Sequence, residues 1–248
     1  MVRRKVPTKR PKATPAAPSK SEVGYTNPRQ NLIKPKTENQ RAYVRAIVEN
    51  DVVICSGPSG SGKSLVALST ALDFLMRGDK PQSRIYVTRP MIATSERDFP
   101  YIKGTLSDKL RPYFAPILAN LEDLLGSKAD LERMLEQETI VMQAIELMRG
   151  YTYKNCCVLV TESQNMTISQ AVMAITRLGE NCKMVFEGDT DQKDLYGPDG
   201  LSFLKEKMAN RPDLCGMIKM GPEDILRHPL IGEILKQLDY RGKSAHGS

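Results

Sequence analysis

Gly57-Pro58-Ser59-Gly60-Ser61-Gly62-Lys63-Ser64 fits the phosphate-binding pattern G-x-x-x-x-G-K-[ST] at every fixed position. No other stretch constrains the fold as much, because such a loop must join a buried strand to the N-terminus of a helix. Both flanks are present. Asp51-Val52-Val53-Ile54-Cys55 is a short, apolar, β-branched run, and Leu65, Leu68, Ala71, Leu72 and Leu75 recur at helical spacing. The glycines let the backbone curl with its N–H groups inward, and the helix dipole adds positive potential there. Lys63 then reaches the β- and γ-phosphates, and the Ser64 hydroxyl takes a place on Mg²⁺. Residues Gly57, Pro58, Ser59, Gly60, Ser61, Gly62, Lys63 and Ser64 are thus the candidate nucleotide cradle. The competing reading is a Gly/Ser-rich turn.

The rest of the chain alternates strand-like and helix-like runs. Thr37 is placed to cap a helix carrying Tyr43, Val44, Ile47 and Val48. The P-loop helix spans about 63–77 and stops at Gly78. Strands are expected over 52–56, 84–88, 139–142, 156–161, 182–187 and 214–220. Further helices are expected over 121–136, 169–178, 201–208 and 230–238. Residues 89–120 show no clear period, and a stretch that long is more often functional than idle. The alternation predicts an α/β fold with a mostly parallel sheet covered by helices on both faces.

The net charge of +7 is unevenly spread. Residues 1–20 hold seven basic residues and no acid. Removing those seven from the total of 36 leaves 29, equal to the 29 acids, so the remainder is formally neutral. Four prolines and hardly any large apolar group make residues 1–24 a disordered basic tail. It reads either as a phosphate-backbone tether for nucleic acid or as a solubilising or targeting segment. Residues 25–240 are expected to form the folded domain, and 241–248 a flexible C-terminus. No run is apolar enough to span a membrane, and no signal-peptide core is present. Five cysteines without a C-x-x-C spacing, with only two histidines, give no zinc site and read as buried thiols. A reducing, cytoplasmic setting is expected.

A nucleotide cradle does chemistry only with further groups. Glu162 ends the 156–161 strand, on the sheet edge where ligands collect; it is the candidate general base and a water-mediated Mg²⁺ ligand. This strand is expected to adjoin the P-loop strand. Gln164 and Asn165 follow as polar links, or alternatively as a capping cluster for the next helix. Asp189, in the Gly188-Asp189 turn, is a candidate to orient water or Mg²⁺. Gln192 is a candidate γ-phosphate sensor. Arg227 and Arg89 are alternative cations for the developing charge, and either could instead be a surface ion pair. Gln40 is a candidate adenine reader or a solvated helix-start residue.

These motifs together resemble the PhoH family of phosphate-starvation-inducible ATPases over about 25–240. Pro35-Lys36-Thr37 with Gln40, the P-loop, Arg89-Pro90, the Gly104 to Pro116 segment, Met148-Arg149-Gly150, Thr176-Arg177-Leu178-Gly179, Gly188-Asp189 with Gln192, and Arg227-His228-Pro229 fall in the family's order. The chain departs from it at Thr161-Glu162-Ser163-Gln164-Asn165, where the family usually has Asp-Glu-Ala-Gln-Asn, and at Asp199-Gly200-Leu201. The resemblance extends to superfamily 1 helicase motor domains. It implies a RecA-like P-loop NTPase fold, ATP and Mg²⁺ as cofactors, and single-stranded RNA as the favoured partner. A single motor domain further implies a homo-oligomer, of which a hexameric ring is one form, with an arginine acting in trans. The leading expectation is an oligomeric ATPase with helicase-like action on nucleic acid. The alternatives are a nucleotide-gated RNA-binding scaffold with little turnover, motivated by Thr161, and a small-molecule kinase.

Overall fold

The computed structural model describes residues 32–91, 110–194 and 197–225. The tail at 1–24, Gly104 to Lys109, Arg227-His228-Pro229, the helix expected over 230–238 and the 241–248 terminus lie outside these residues. Among the described residues six strands form one sheet: β1 Val52–Ser56, β2 Arg84–Arg89, β3 Ile140–Ala144, β4 Cys156–Val160, β5 Cys182–Gly188 and β6 Gly216–Lys219. Their order is β3-β2-β4-β5-β1-β6 and every neighbouring pair is parallel. β1 and β4 are buried at every position, as continuous apolar runs in a doubly covered parallel sheet should be. This is an α/β P-loop NTPase fold.

Among the described residues six helices cover the sheet: α1 Glu38–Glu49, α2 Lys63–Arg77, α3 Ala115–Leu125, α4 Lys128–Glu136, α5 Ile168–Ile175 and α6 Gly200–Met208. Strand alternation divides the core in two. Val53, Cys55, Val185 and Leu159 face α1 to α4. Ile54, Phe186, Met184 and Val158 face α5 and α6. Thr37 caps α1 by accepting from the Gln40 amide, as expected. Asp199 caps α6 and Thr167 caps α5, the latter in a capping box with Gln170.

Two expectations are corrected. The helix expected over 121–136 is two helices, α3 and α4. Gly126 ends the first in the left-handed region (φ 67°), and Ser127 caps the second by accepting from the Asp130 amide. The leucines keep their spacing across the break, which hides it from periodicity. The Glu162 strand, β4, does not adjoin the P-loop strand; β5 lies between them. The place beside β1 therefore belongs to the 182–188 strand, with Cys55 level with Glu187.

Candidate active site

The loop after β1 enters α2 through Gly62, whose left-handed backbone (φ 83°) opens the helix at Lys63. The Lys63 ammonium lies over its own loop, donating to the carbonyls of Gly57 (2.8 Å) and Pro58 (3.0 Å). Gly57 and Pro58 thus anchor Lys63 from below, while the hydroxyl of Ser61 donates to the Pro58 carbonyl at 2.8 Å.

Two side chains brace the loop from outside. Gln40 is buried; its Nε2 donates to the Ser61 carbonyl (3.1 Å) and its Oε1 accepts from the Lys36 amide (2.9 Å). Both ends of the amide expected as an adenine reader are therefore engaged within the chain. Asp189 accepts from the Ser59 amide (3.1 Å) and from the Asp191 amide (3.1 Å). It ties the turn after β5 to the P-loop.

Glu162 follows β4 with a left-handed backbone (φ 54°, ψ 38°), a conformation costly for a residue with a Cβ. Its carboxylate accepts from Gln164 Nε2 at 2.7 Å. The same Nε2 donates to the Gln192 carbonyl at 3.3 Å, while Gln164 Oε1 accepts from the Asp189 amide at 3.1 Å. Asn165 is paired twice with Asp194, through the Asp194 amide (2.9 Å) and carboxylate (3.3 Å). One buried amide side chain thus joins the candidate base, the candidate sensor and the P-loop brace. The capping cluster for α5 is instead Thr167 and Gln170.

Gly188 makes this bridge possible. A Cβ at position 188 would lie 2.2 Å from Gln164 Oε1 and 3.0 Å from its backbone nitrogen. Gly188→Ala should therefore expel the Gln164 amide and cost about 1–3 kcal/mol of stability, as overpacking does. Urea denaturation of the variant checks this, and an unchanged midpoint contradicts it.

Arg89 ends β2 and donates to the Tyr113 carbonyl at 2.6 Å. It sits beyond β4 and β5 from the P-loop strand. Thr161 is buried; its amide and hydroxyl both donate to the Thr88 carbonyl, at 2.8 and 3.4 Å. The alternative cation, Arg227, is outside the described residues.

Sequence reasoning passed over Glu187. It is 1 % exposed, and neither carboxylate oxygen has a hydrogen-bond partner. Burial pushes its carboxyl up to about 7. The Ser64 hydroxyl and the Lys63 ammonium pull it down, and Glu162 pushes it up. The Ser64 hydroxyl comes near enough to favour the charged form without reaching hydrogen-bond geometry. Burial also raises the Tyr43 and Cys55 pKa values beside it. The one available signal was an acid at the end of the otherwise apolar run Met184-Val185-Phe186.

Among the described residues no cluster of three or more His, Cys, Asp or Glu could hold a metal by itself. Mg²⁺ in P-loop sites needs no such cage, since substrate phosphates and water fill most of its shell. The residues present fit that requirement: a hydroxyl at Ser64 and an orphaned carboxylate at Glu187.

The family profile for PhoH-like proteins matches residues 32–239. The chain belongs to the PhoH-like family. It is 36% identical over 215 residues to the PhoH-like protein of Bacillus subtilis (strain 168), covering 86% of this chain and 66% of that one. It is 32% identical over 199 residues to Protein PhoH of Escherichia coli (strain K12), covering 79% and 55%. The chain therefore spans between about half and two thirds of the length of these PhoH relatives. Among solved structures it resembles the large terminase of a thermophilic bacteriophage (TM-score 0.47, 14% identity, 82% of this chain and 50% of that one). It also resembles the UvsW helicase of bacteriophage T4 (TM-score 0.46, 15% identity, 77% and 61%). No helix among the described residues of this PhoH-like chain is long and apolar enough to cross a membrane.

Proposed function

We propose that this PhoH-like chain binds ATP with Mg²⁺ and hydrolyses it, in the cytoplasm, as a homo-oligomer acting on single-stranded RNA. The observation that carries the hydrolytic reading is the Gln164 bridge. It holds the Glu162 carboxylate at 2.7 Å and the Gly188-Asp189 turn at 3.1 Å, and that turn in turn holds the P-loop through Ser59. A base and a phosphate cradle are thereby set in one frame.

In this reading the backbone amides of 57–64 and the Lys63 ammonium bind the phosphates. Lys63 exchanges the Gly57 and Pro58 carbonyls for phosphate oxygens, a stronger, charge-assisted pairing. Glu162 accepts the proton of the attacking water. Gln164 orients that carboxylate, and Gln192 reports the state of the terminal phosphate. When bound, Mg²⁺ neutralises charge on the β- and γ-phosphate oxygens. Asp189 acts as a loop brace, and Ser64 holds the metal side of the cradle. Arg227, or Arg89, supplies the cation for the developing charge, in trans across a subunit contact.

Five buried free cysteines accord with a reducing compartment. RNA as partner is supported by the family and by the basic N-terminal composition. The deciding experiment is phosphate release from ATP with and without single-stranded RNA, alongside the mass of the protein in solution. RNA-stimulated release from an oligomer is expected. Release that RNA leaves unchanged, from a monomer, contradicts the reading. Deleting residues 1–20 should also weaken RNA binding and flatten its salt dependence, because fewer counterions are then released. An unchanged salt slope assigns those residues to solubility.

The scaffold reading keeps one specific support, the neutral side chain at Thr161. Nucleotide and RNA binding without phosphate release would favour it.

A further inference from the structure

We propose that Glu187 is the carboxylate of the Mg²⁺ site, facing the ion beside the Ser64 hydroxyl from β5 rather than from β4. The inference rests on the proposed Mg²⁺–nucleotide site and names a residue that supplies its charge.

Three observations carry it. First, Glu187 stands on the strand that adjoins the P-loop strand, level with Cys55, on the face covered by the P-loop helix. The groups acting on it are Ser64, Lys63 and Glu162, the residues of the cradle and the base. Second, both its oxygens are buried and without partners. A carboxylate kept in that state is expensive, and an apolar residue would fill the same place at lower cost. A divalent cation arriving with the nucleotide supplies the missing partner. Third, the usual place for such an acid carries none. The parallel register sets Val160 beside Phe186, so Thr161 is level with Glu187 one strand further out. Thr161 is neutral, and its hydroxyl is given to the Thr88 carbonyl of β2, away from β5. P-loop sites hold Mg²⁺ with the loop Ser/Thr and an acid at a nearby strand end. In this sheet the acid has moved one strand toward the loop.

The carboxylate also answers to Glu162. Glu162 pushes the Glu187 carboxyl up, and a divalent cation supplies the double positive charge that the lysine alone does not provide.

The test uses the full chain, a non-hydrolysable ATP analogue, and Mn²⁺ as a spectroscopic substitute for Mg²⁺. Electron paramagnetic resonance titration reads Mn²⁺ affinity in the analogue complex, and analogue binding is read separately in EDTA. Glu187→Gln should weaken Mn²⁺ binding about 10–100-fold, the range for partners that tune a metal site. Analogue affinity in EDTA should not fall. Adding Thr161→Asp to that variant should recover most of the Mn²⁺ affinity, by restoring an acid on β4. Unchanged Mn²⁺ affinity in Glu187→Gln, with the analogue still bound, overturns this proposal and leaves the nucleotide site standing. An unmodified chain that binds no analogue overturns both.

Replacing a fully buried side chain can compromise folding, so a second measurement keeps Glu187 intact. In Glu162→Gln protein labelled with ¹³C at its glutamate carboxyls, electron–nuclear double resonance of bound Mn²⁺ should still detect a carboxyl carbon close to the ion. No such coupling would falsify the assignment.

Discussion

Glu162→Gln will slow ATP turnover by about 10²–10⁴-fold, the usual worth of a positioned general base, and will leave nucleotide binding in place. The expectation follows from what the substitution keeps. Glutamine has the same length, and its carbonyl oxygen still accepts from Gln164 Nε2, now 2.7 Å from the carboxylate. The left-handed backbone at 162 is no worse for an amide than for an acid. The cradle amides, Lys63 and the Asp189 brace do not touch this side chain. What disappears is the negative charge, and with it the ability to take a proton. Single-turnover phosphate release measures the rate, and a fluorescent analogue measures binding. A variant that hydrolyses ATP at the parental rate removes Glu162 from the mechanism. Lost binding with the rate lost alongside would instead make it part of the cradle.

The second large effect is on stability, in the nucleotide-free and metal-free protein. Burial holds the Glu187 carboxyl at about 7 in the folded chain, against an ordinary value of 4.5. Below pH 4.5 both folded and unfolded chains carry the proton, and the group has no influence. As pH rises from 4.5 to 7 the unfolded chain releases its proton first, so the folded state loses ground. Above 7 the loss is complete, and the gap corresponds to about 3 kcal/mol. Glu187→Gln abolishes this dependence. Its advantage over the parent should therefore be largest at pH 8 and nearly gone at pH 4.5, as read by urea denaturation in EDTA. The buried amide carries its own desolvation cost at every pH, so the difference between the two pH values isolates the charge. Parallel stability profiles for parent and variant would sink the claim.

Much of this architecture is written locally. Asp51 to Ser64 specifies strand, loop and helix through residues that touch one another in sequence, and β1 and α2 fall at the expected places. Thr37 and Gly78 also mark their helix ends by local chemistry. The break between α3 and α4 was less legible, because the leucine spacing continues across Gly126 and only the cap geometry of Ser127 separates them. The site divides in the same way. Glu162, Gln164 and Asn165 stand out as a polar run after an apolar strand. Gln40 and Asp189 are visible as polar residues, but their partners, Ser61 and Ser59, are 21 and 130 positions away. Glu187 was hidden most completely. In sequence it is the last residue of a strand before Gly188, and nothing nearby asks for an acid. It acquires meaning only when β5 inserts between β1 and β4, a choice of strand order that no local pattern encodes.

One contact ties the first turn of α1 to the last of the described residues. Thr37 donates its hydroxyl to Asp224, and Asn39 Nδ2 donates to the same carboxylate at 2.9 Å. Asp224 also accepts from the Gly221 amide at 2.8 Å. Gln40, the next residue along α1, holds the loop at Ser61. A load applied at Ile225 therefore reaches the loop by two routes, through Asp224 and the first turn of α1 to Ser61, and back along the chain to Met220, whose amide donates to the Ser56 carbonyl at 2.8 Å. On the proposed function, tension there and nucleotide occupancy would be coupled, each shifting the other's equilibrium.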